Sequence, residues 1–311
     1  MQVIPLTNRC DYVAALHPEH LFVQAVEKLL NLEPSERAQY LRVVLLEFQR
    51  IASHLVAIGT NVLDIGQMTT WFWCFREREL ILNLLEELTG GRLFHNFMRF
   101  GGLKNDLPEN WDKKALYVVS ILEKRFEKYP KFIENRIFKD RTKEVGVVSK
   151  EEAKKYCLEG PSLRGSGVEH DVRRDMPYLV YENLDFDVVV EDDGDCFARY
   201  RVRFREMLES LKIIKQAFKN MPKNGSVLGM KIVYFSRPIP KGETYIVNEQ
   251  ARGEGGCYVV SDGSPTLYRV KFKAPSFHNV QALKYILPNH KIADVVTIIG
   301  SLDPVFGEVD R

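Results

Sequence analysis

Apolar positions are densest in residues 34–64, where their spacing predicts one long helix. Ser35 can cap the first turn of this helix, and Gly66 follows its last turn. The apolar side chains cover most of the helix circumference, which predicts burial on nearly all sides. The apolar positions are Leu41, Val44, Leu45, Phe48, Ile51, Ala52, Leu55, Ile58 and Val62.

Polar residues of the same segment recur at steps of three, four, seven and three, so they form one narrow stripe along the predicted helix. The stripe contains Glu47, Arg50, His54, Asn61 and Asp64. Charged groups on a buried helix must be paired or must face a polar cavity, because desolvating an unpaired charge is strongly unfavourable. Two interpretations stay open: an ion-pair network between helices, or a helix that lines a functional site.

The rest of the pattern predicts a mainly α (α+β) protein with one small antiparallel sheet near the C-terminus. Residues 1–11 are expected to be extended, and period-two alternation predicts the sheet within residues 241–273. Thr69 or Thr70 is expected to cap the helix that ends at Gly90. Helical periodicity predicts the other helices at residues 12–32, 108–138, 195–221, 279–287 and 292–300.

The composition is that of an ordinary globular chain, with 45% hydrophobic and 28% charged residues. Its 311 residues are long enough to bury a sizeable core. We expect a single domain over residues 1–311. Its helical core should cover about residues 12–240 and 274–311, and a small β subdomain should cover about residues 241–273.

The formal net charge of +2 predicts neither a nucleic acid nor an anionic membrane surface as a partner. The five cysteines are scattered without a CxxC pair, so the sequence contains no zinc or iron–sulfur motif. No apolar stretch reaches the roughly 18 residues that a membrane-spanning helix needs. Any work at a membrane is therefore expected of a peripheral subunit.

Three further patterns suggest chemistry, and each has a plain structural interpretation. His17 and His20 could bind a metal, but without a third ligand they are interpreted as solvent-exposed histidines at a helix end. Aromatic residues crowd positions 71–75 and precede alternating charges at 76–79, which is typical of an aromatic core plug beside a solvated turn. The glycine-rich residues 160–167 lack the lysine of a phosphate-binding loop.

Short motifs occur along the whole chain, and their combination is far more specific than any one of them. They are Arg9-Cys-Asp-Tyr12, Ala25-Val-Glu-Lys-Leu29, Glu36-Arg-Ala38, Phe75-Arg-Glu-Arg-Glu79, Leu163-Arg-Gly-Ser-Gly167, Lys273-Ala-Pro-Ser-Phe277 and DPVFGEVDR at residues 303–311. In this combination the chain resembles the D-subunit family of NADH:quinone oxidoreductase, respiratory complex I.

That family is related to the large subunit of nickel–iron hydrogenases, so the resemblance implies a hydrogenase-large-subunit-like helical bundle. The hydrogenases hold nickel with two CxxC pairs, whereas residues 303–307 here read Asp-Pro-Val-Phe-Gly, without cysteine. A nickel site of that kind requires soft thiolates. The resemblance therefore implies the quinone-reducing branch, with no bound metal in this chain, and disfavours a membrane-bound hydrogenase.

For the quinone branch, the resemblance implies a quinone headgroup pocket that faces a 4Fe–4S cluster in the neighbouring B-subunit. NADH would be bound by other subunits. Further partners would be the C-subunit and the membrane-arm subunits of a proton-pumping hetero-oligomer, on the cytoplasmic side of the cell membrane. Family members carry an N-terminal β-rich segment with an HPxxHG loop before the position of Val3, and we expect this chain to lack it.

The resemblance also assigns site residues. Tyr12 matches the tyrosine that donates a hydrogen bond to the quinone carbonyl, and a phenol can protonate the reduced oxygen. Asp64 matches an acid near the headgroup that is linked to proton supply. Thr60, His54 and Arg50 are expected in the quinone pocket or in the proton path.

Charged residues of two motifs match elements that lie near the cluster-bearing B-subunit in the family, and exposed loops around residues 76–79 and 164–167 are expected to dock that subunit. These charged residues are Arg76, Glu77, Arg78, Glu79 and Arg164. One departure from the family concerns the histidine that many members place close to the cluster. This chain has Phe94 at that position, with His95 next.

Two other functions stay open at the level of the sequence. A shortened paralogue could hold partner subunits together without reducing quinone. A related complex could take its electrons from ferredoxin or another donor, because the donor modules are other chains.

Overall fold

The computed structural model describes residues 2–229 and 239–310, and most of them are helical. A 3₁₀ helix covers Tyr181–Asn183. The helices are α1 (Ile4–Thr7), α2 (Leu16–Leu30), α3 (Glu36–Asp64), α4 (Met68–Thr89), α5 (Trp111–Phe126), α6 (Tyr129–Ile133), α7 (Arg136–Thr142), α8 (Lys150–Lys155), α9 (Gly160–Arg164), α10 (Val172–Asp175), α11 (Cys196–Asn220), α12 (Pro275–Gln281), α13 (Leu283–Ile286), α14 (Ile292–Leu302) and α15 (Phe306–Val309).

Two small antiparallel sheets accompany these helices. The larger sheet has the order β3-β4-β5, and a tight turn at residues 251–252 joins β3 to β4. The strands are β1 (Met98–Arg99), β2 (Gly102–Leu103), β3 (Gly242–Gln250), β4 (Gly253–Ser261) and β5 (Arg269–Lys273). The prediction of a mainly α (α+β) fold with a small antiparallel sheet near the C-terminus is confirmed.

Helix α3 lies at the centre of the fold, as predicted. The Ser35 hydroxyl accepts a hydrogen bond from the backbone N–H of Ala38 at 3.2 Å, which caps the first turn. Leu45, Phe48 and Leu55 are buried, and the helix packs mainly against α4 and α11. None of the described helices is long and apolar enough to cross a bilayer.

Several predicted boundaries are wrong. The extended N-terminal segment contains α1 instead, and α2 begins only at Leu16. The single helix predicted over residues 108–138 is divided into α5, α6 and part of α7, because Pro130 has no N–H to continue a helical ladder and Asn135 caps a new helix. Neither threonine caps α4: Gln67 is its N-cap, and the Thr70 hydroxyl donates to the Gln67 side chain.

The predicted helix over residues 279–287 is also two shorter ones. Helix α12 begins at Pro275, and α13 ends at Ile286. The predicted helix at residues 292–300 corresponds to α14, and the predicted helix at residues 195–221 corresponds to α11. The boundary of the β subdomain at residue 241 adjoins residues 230–238, which lie outside the described residues.

Candidate functional site

The polar stripe of α3 begins in a buried ion-pair network. The Glu47 carboxylate accepts hydrogen bonds from Arg173 at 3.1 Å, from the Tyr181 hydroxyl at 2.7 Å and from the Ser210 hydroxyl at 2.5 Å. Burial favours the neutral acid, but Arg50 and Arg173 outweigh it and lower the pKa of Glu47 to about 2. Glu47 is therefore an ionised group inside the core at neutral pH.

Arg164 belongs to the same buried network. Its guanidinium donates to Glu206 at 2.8 Å and to Glu249 at 2.9 Å, and its side chain is almost completely buried. The prediction that Arg164 stands in an exposed loop beside the B-subunit is therefore wrong. Gly165 of its motif permits close packing against α11 instead, since a Cβ there would lie 3.0 Å from the Arg199 side chain and 3.2 Å from the Arg199 backbone nitrogen.

His54 continues the stripe one helical turn beyond Arg50. Its Nε2 lies 2.9 Å from Glu206, and the imidazole is completely buried. Burial lowers the pKa of His54, while Glu206 opposes the shift. For Glu47, Arg50 and His54 the first interpretation of the stripe, an ion-pair network between helices, is confirmed.

The far end of the stripe differs from the rest. Asn61 is only partly buried, and its side-chain amide donates to the backbone carbonyl of Thr297 at 3.5 Å. Asp64, at the last position of α3, is exposed. Thr60 is exposed too, and its hydroxyl donates to the Val56 carbonyl at 2.9 Å.

A second buried cluster surrounds Arg252, which lies in the turn between β3 and β4. We name Asp11, Arg252, Asp303 and Glu308 the Arg252 cluster. Arg252 donates to Asp11 at 2.8 Å, lies 3.3 Å from Asp303 and donates to the Ser53 hydroxyl of α3 at 3.1 Å. Residues from both ends of the chain are thereby attached to the central helix.

Glu308 joins two more motifs to this cluster. It is buried, and one of its oxygens accepts hydrogen bonds from the backbone N–H of Ser276, at 3.2 Å, and from the Ser276 hydroxyl. The same hydroxyl accepts a hydrogen bond from the backbone N–H of Val305 at 3.2 Å. Three motifs that the sequence analysis singled out, at residues 9–12, 273–277 and 303–311, therefore meet at one place.

Tyr12 extends from this cluster towards solvent. Its side chain is 40% exposed, and its hydroxyl makes no hydrogen bond within residues 2–229 and 239–310. Gly307 packs against it so closely that an added Cβ would lie 3.2 Å from the Tyr12 ring and 2.7 Å from the Arg9 carbonyl oxygen. The Tyr12 ring is thus fixed in place, and its hydroxyl is without a hydrogen-bond partner among the described residues.

The first turns of α4 carry a group of aromatic residues. A Cβ on Gly59 would lie 3.6 Å from Trp71, so the start of α4 crosses α3 closely. The prediction of an aromatic core plug is wrong, because Phe72 is 56% exposed and Trp71, Trp73 and Phe75 are only partly buried. Met68, at the start of the same helix, is 59% exposed. Sequence reasoning missed this apolar surface beside Asp64, although four aromatic residues within five positions were a signal for it.

The described residues show no hydrogen bond between Tyr12 and Asp64. Tyr12 lies beside the Arg252 cluster, which contacts α3 at Ser53. Asp64 follows Ser53 by three helical turns, or roughly 16 Å at about 1.5 Å per residue. Segment 297–307 spans this distance, because Thr297 contacts Asn61 and Gly307 contacts Tyr12.

Comparison with known proteins identifies this arrangement. Residues 64–237 and 229–311 match the family model described as the 49 kDa subunit of respiratory-chain NADH dehydrogenase. The NADH-quinone oxidoreductase D-subunit of Bacillus mycoides is 47% identical over 312 residues, which cover 99% of this chain and 84% of the relative. The D-subunit proteins of Bacillus cytotoxicus and Geobacillus thermodenitrificans are each 46% identical over the same shares of the chains.

The chain belongs to the D-subunit family of NADH-quinone oxidoreductase. The resemblance seen in the sequence is therefore confirmed. The chain is thus one component of a hetero-oligomeric oxidoreductase, complex I.

The charged motif at residues 76–79 lies in the middle of α4, not in a loop. Glu77 is completely buried, where it accepts from Arg76 at 2.7 Å and from Arg125 at 3.1 Å. Arg76 itself is half-exposed, and Glu79 pairs on the surface with Arg92. The interpretation of residues 76–79 as a solvated turn is thus wrong for Glu77.

The predicted solvent-exposed histidines are buried as well, because α2 packs against β3 and β4. His17 lies 3.0 Å from the Leu46 carbonyl, and His20 lies 3.0 Å from the Asn248 amide. Burial lowers the pKa of His17 to about 3. In the part of the chain that the structure describes, no three His, Cys, Asp or Glu side chains are grouped to hold a metal ion.

Phe94 occupies the position that the resemblance assigns to a histidine near the cluster. It lies next to residues 9–12, which we name the Tyr12 segment. The Arg9 guanidinium lies 4.8 Å from the centre of its ring, which is a cation–π distance. His95 is turned inward, where burial lowers its pKa to about 4 and Thr89 lies within hydrogen-bond reach of its ring. Neither residue therefore supplies an exposed imidazole.

Proposed function

We propose that this chain forms, together with the cluster-bearing B-subunit, the pocket in which quinone is reduced by electrons from a 4Fe–4S cluster. The single observation that carries the proposal is the half-exposed phenol of Tyr12, which has no hydrogen-bond partner among the described residues and is fixed in place by the Arg252 cluster and Gly307. Membership of the D-subunit family supplies the reaction. The proposal places the chain in a proton-pumping complex with the C-subunit and membrane-arm subunits as further neighbours.

Quinone reduction requires two electrons and two protons. Electrons can tunnel from a partner's cluster, but each proton needs a donor within hydrogen-bond reach of a carbonyl oxygen. A phenol hydroxyl can donate a hydrogen bond to a quinone carbonyl and transfer its proton to the reduced oxygen. Tyr12 supplies such a donor, and the partner's surface would exclude water from it.

The exposed apolar surface at the start of α4 is the basis for proposing a second part of the pocket. We propose that Met68, Trp71 and Phe72 line the path of the apolar quinone, with Thr60 and Asp64 at its polar side. Pockets for organic ligands are mostly apolar with few polar groups, and this surface has that composition. A partner subunit would complete the pocket between the start of α4 and Tyr12.

His54 and Arg50 have a different place in the proposal. Both are completely buried and paired, so they are unable to line an open pocket. We propose that they belong to the proton path behind it, in which His54 Nε2 lies 2.9 Å from Glu206. NADH and the clusters upstream are bound by other subunits, and the chain works on the cytoplasmic side of the membrane as a peripheral subunit.

The first test replaces Tyr12 by phenylalanine in the assembled complex. We expect quinone turnover per assembled complex to fall about 10²-fold, because a general acid typically contributes about 10²- to 10⁴-fold. Assembly and reduction of the upstream clusters should persist, since the Tyr12 hydroxyl holds no part of the described fold together. Tyr117→Phe, a surface tyrosine that is 67% exposed, is the matched control.

Wild-type turnover in Tyr12→Phe would remove the tyrosine from the mechanism. A lower yield of complex with unchanged turnover per complex would instead indicate a packing role. That outcome would favour the alternative of a scaffold subunit. The yield of complex and the turnover per complex both come from the same preparation, if assembled complex is quantified before the assay.

The second test is Asp64→Asn, which removes the charge and keeps the size of the side chain. Because Asp64 is exposed and is proposed for proton supply instead of the chemical step, we expect a smaller loss of turnover than in Tyr12→Phe. Proton pumping per quinone reduced should fall more than turnover. Equal pumping stoichiometry in Asp64→Asn and wild type, measured in sealed vesicles, would exclude Asp64 from proton supply.

A further inference from the structure

Helix α14 is almost entirely apolar, yet one of its sides is open. Its 11 residues contain a single charged side chain, Asp294. Ile298 and Leu302 are buried where α14 packs against α3 and α11. A helix that is apolar on so many sides is normally covered on nearly all of them. The open side of α14 is therefore a candidate contact surface.

The open side of α14 is a continuous apolar stripe. Ile292 is 91% exposed, and Val296, one helical turn later, is 51% exposed. Val295 and Ile299 lie on the same face and are only partly buried, because positions three, four and seven apart are neighbours on a helix. The stripe is thus open at the start of α14 and becomes covered towards its end.

Helix α7 extends this apolar surface. The Arg141 guanidinium donates to the Ala293 carbonyl at 2.8 Å and holds α7 beside the start of α14. Ile137 lies one turn before Arg141 on the same face of α7 and is 64% exposed. We name Ile137, Ile292 and Val296 the α7–α14 surface. Neighbouring exposed apolar residues of this kind mark sites of interaction.

Positive charge is concentrated next to the α7–α14 surface. Residues 124–143 contain eight lysines and arginines against three aspartates and glutamates, a net charge of +5, whereas the whole chain carries only +2. Arg136 pairs with Asp140 at 3.5 Å, but Lys131 and Lys139 have no carboxylate partner among the described residues. The fold therefore leaves unpaired cations beside exposed apolar side chains.

We propose that the α7–α14 surface docks an acidic amphipathic segment of another subunit. The apolar side chains of that segment would cover Ile137, Ile292 and Val296, and its carboxylates would face the cations of residues 124–143. Protein interfaces have an apolar centre and a polar rim, and opposite charges fix the orientation of the partner. The chain is a component of a hetero-oligomer, so such partners exist. The inference goes beyond the proposed quinone site and is independent of it.

Two other occupants fit the surface less well. An anionic lipid surface would meet Asp140, which lies three positions after Ile137 on the same exposed face. Stable membrane anchoring also needs a larger apolar face than three aliphatic side chains provide. A second copy of this chain would bring like charges together, because its own residues 124–143 carry the same net charge of +5.

The first experiment removes an apolar side chain that the fold itself does not use. Because Ile292 is 91% exposed, Ile292→Ser should leave the urea midpoint of the purified chain unchanged. We expect the yield of assembled complex to fall about fivefold, as for truncation of a buried interface residue. Ile292→Asp should lower the yield further, because its carboxylate would oppose the acidic partner. Tyr268→Ser, at a position that is 74% exposed, is the matched control.

Carbodiimide cross-linking of the assembled complex tests the chemistry of the partner. The reagent joins a lysine amine to an adjacent carboxylate without a spacer. We expect cross-links from Lys131 or Lys139 to an aspartate or glutamate of another subunit, identified by mass spectrometry. Cross-links from these lysines to a second copy of this chain would instead show self-association and would refute the inference.

The salt dependence of assembly gives a readout that a purely structural role of the cations would leave unchanged. Rising ionic strength should lower the yield of wild-type complex, because it screens the attraction between the basic residues and the acidic segment. Lys139→Gln should weaken this dependence, and Lys139→Glu should lower the yield at low salt. Lys150→Gln, an exposed lysine on α8, is the control.

Two results would overturn the inference. One is wild-type assembly of Ile292→Asp together with the absence of cross-links from Lys131 or Lys139 to another subunit. The other is wild-type assembly of Ile292→Asp while the purified wild-type chain, but not the variant, binds phosphatidylglycerol vesicles, which would identify a lipid surface as the occupant. Neither result concerns Tyr12, so the proposed quinone site would be unaffected.

Discussion

Gly307 occupies a position where only a hydrogen atom fits in place of a side chain. An added Cβ would lie 2.7 Å from the carbonyl oxygen of Arg9 and 2.9 Å from that of Cys10. Both obstacles are backbone atoms, which are unable to rotate away as a flexible side chain would. The contact therefore fixes the distance between residues 9–12 and the helix α15 that contains Gly307.

We predict that Gly307→Ala destabilises the chain by about 1–3 kcal/mol, the usual range for overpacking. The measurement is urea unfolding of the purified chain, followed by circular dichroism. Gly242→Ala is the control, because its Cβ would meet Leu29 at 3.6 Å, an ordinary contact. Equal midpoints for the two variants would show that the 9–12 segment yields without strain.

At the residue scale, local chemistry was predictable and burial was not. Ser35 caps α3 as its sequence position indicates. Arg164 was expected on the surface because an arginine beside glycines has no local feature that indicates burial. Its partners, Glu206 and Glu249, lie 42 and 85 residues away in sequence, so only the fold reveals that they neutralise it.

At the scale of elements, α3 combines an apolar surface with ionised groups that must stay paired. Glu47 has a pKa of about 2 in the fold against 4.5 without it, so the folded state binds this proton less readily. The unfolded state takes up the proton first as pH falls. The stabilisation is therefore complete above pH 4.5 and is lost as pH falls from 4.5 towards 2.

We predict that Glu47→Gln weakens this acid sensitivity. The shift corresponds to about 3 kcal/mol at neutral pH, and removing one partner of a buried pair generally destabilises by about 3–5 kcal/mol. The variant should thus be less stable at pH 7, with a shallower decline between pH 4.5 and 2. The urea midpoint measured at several pH values checks both, with the exposed Glu109→Gln as control.

Elements were predictable where one pattern continues over many residues. The 29 residues of α3 and the antiparallel β3–β4–β5 sheet follow from periodicity and turns. Asp64 shares the stripe of Glu47, yet it is exposed because the stripe extends beyond the helices that cover α3. The burial of His17 and His20 depends on the sheet that packs against α2, whose sequence lies more than 200 residues later.

At the scale of the whole molecule, the most important property is assembly with other subunits, because the chain belongs to a family of complex I subunits. Arg76 is half-exposed on α4, next to the exposed aromatic surface, and pairs with buried Glu77. Charged residues around an apolar patch steer a partner and fix its orientation. Arg76 is therefore a proposed contact with the B-subunit, whereas the burial of Arg164 excludes it from such a contact.

We predict that Arg76→Glu lowers the yield of assembled complex several-fold, because it reverses the charge at this surface and places a second carboxylate beside Glu77. Arg76→Gln should have a weaker effect, since Arg125 still neutralises Glu77. Arg269→Glu, on the exposed strand β5, is the control. Normal assembly in Arg76→Glu, measured by native electrophoresis, would count against this interface.

The Arg252 cluster also has a consequence for the order of events during synthesis. Arg252 leaves the ribosome 241 residues after Asp11, and Asp303 and Glu308 follow later still. At about 5–20 residues per second, the Tyr12 segment waits on the order of 10 to 50 s for its partners. Until then Asp11 has no cation to pair with, so the native surroundings of the Tyr12 segment form only late in synthesis.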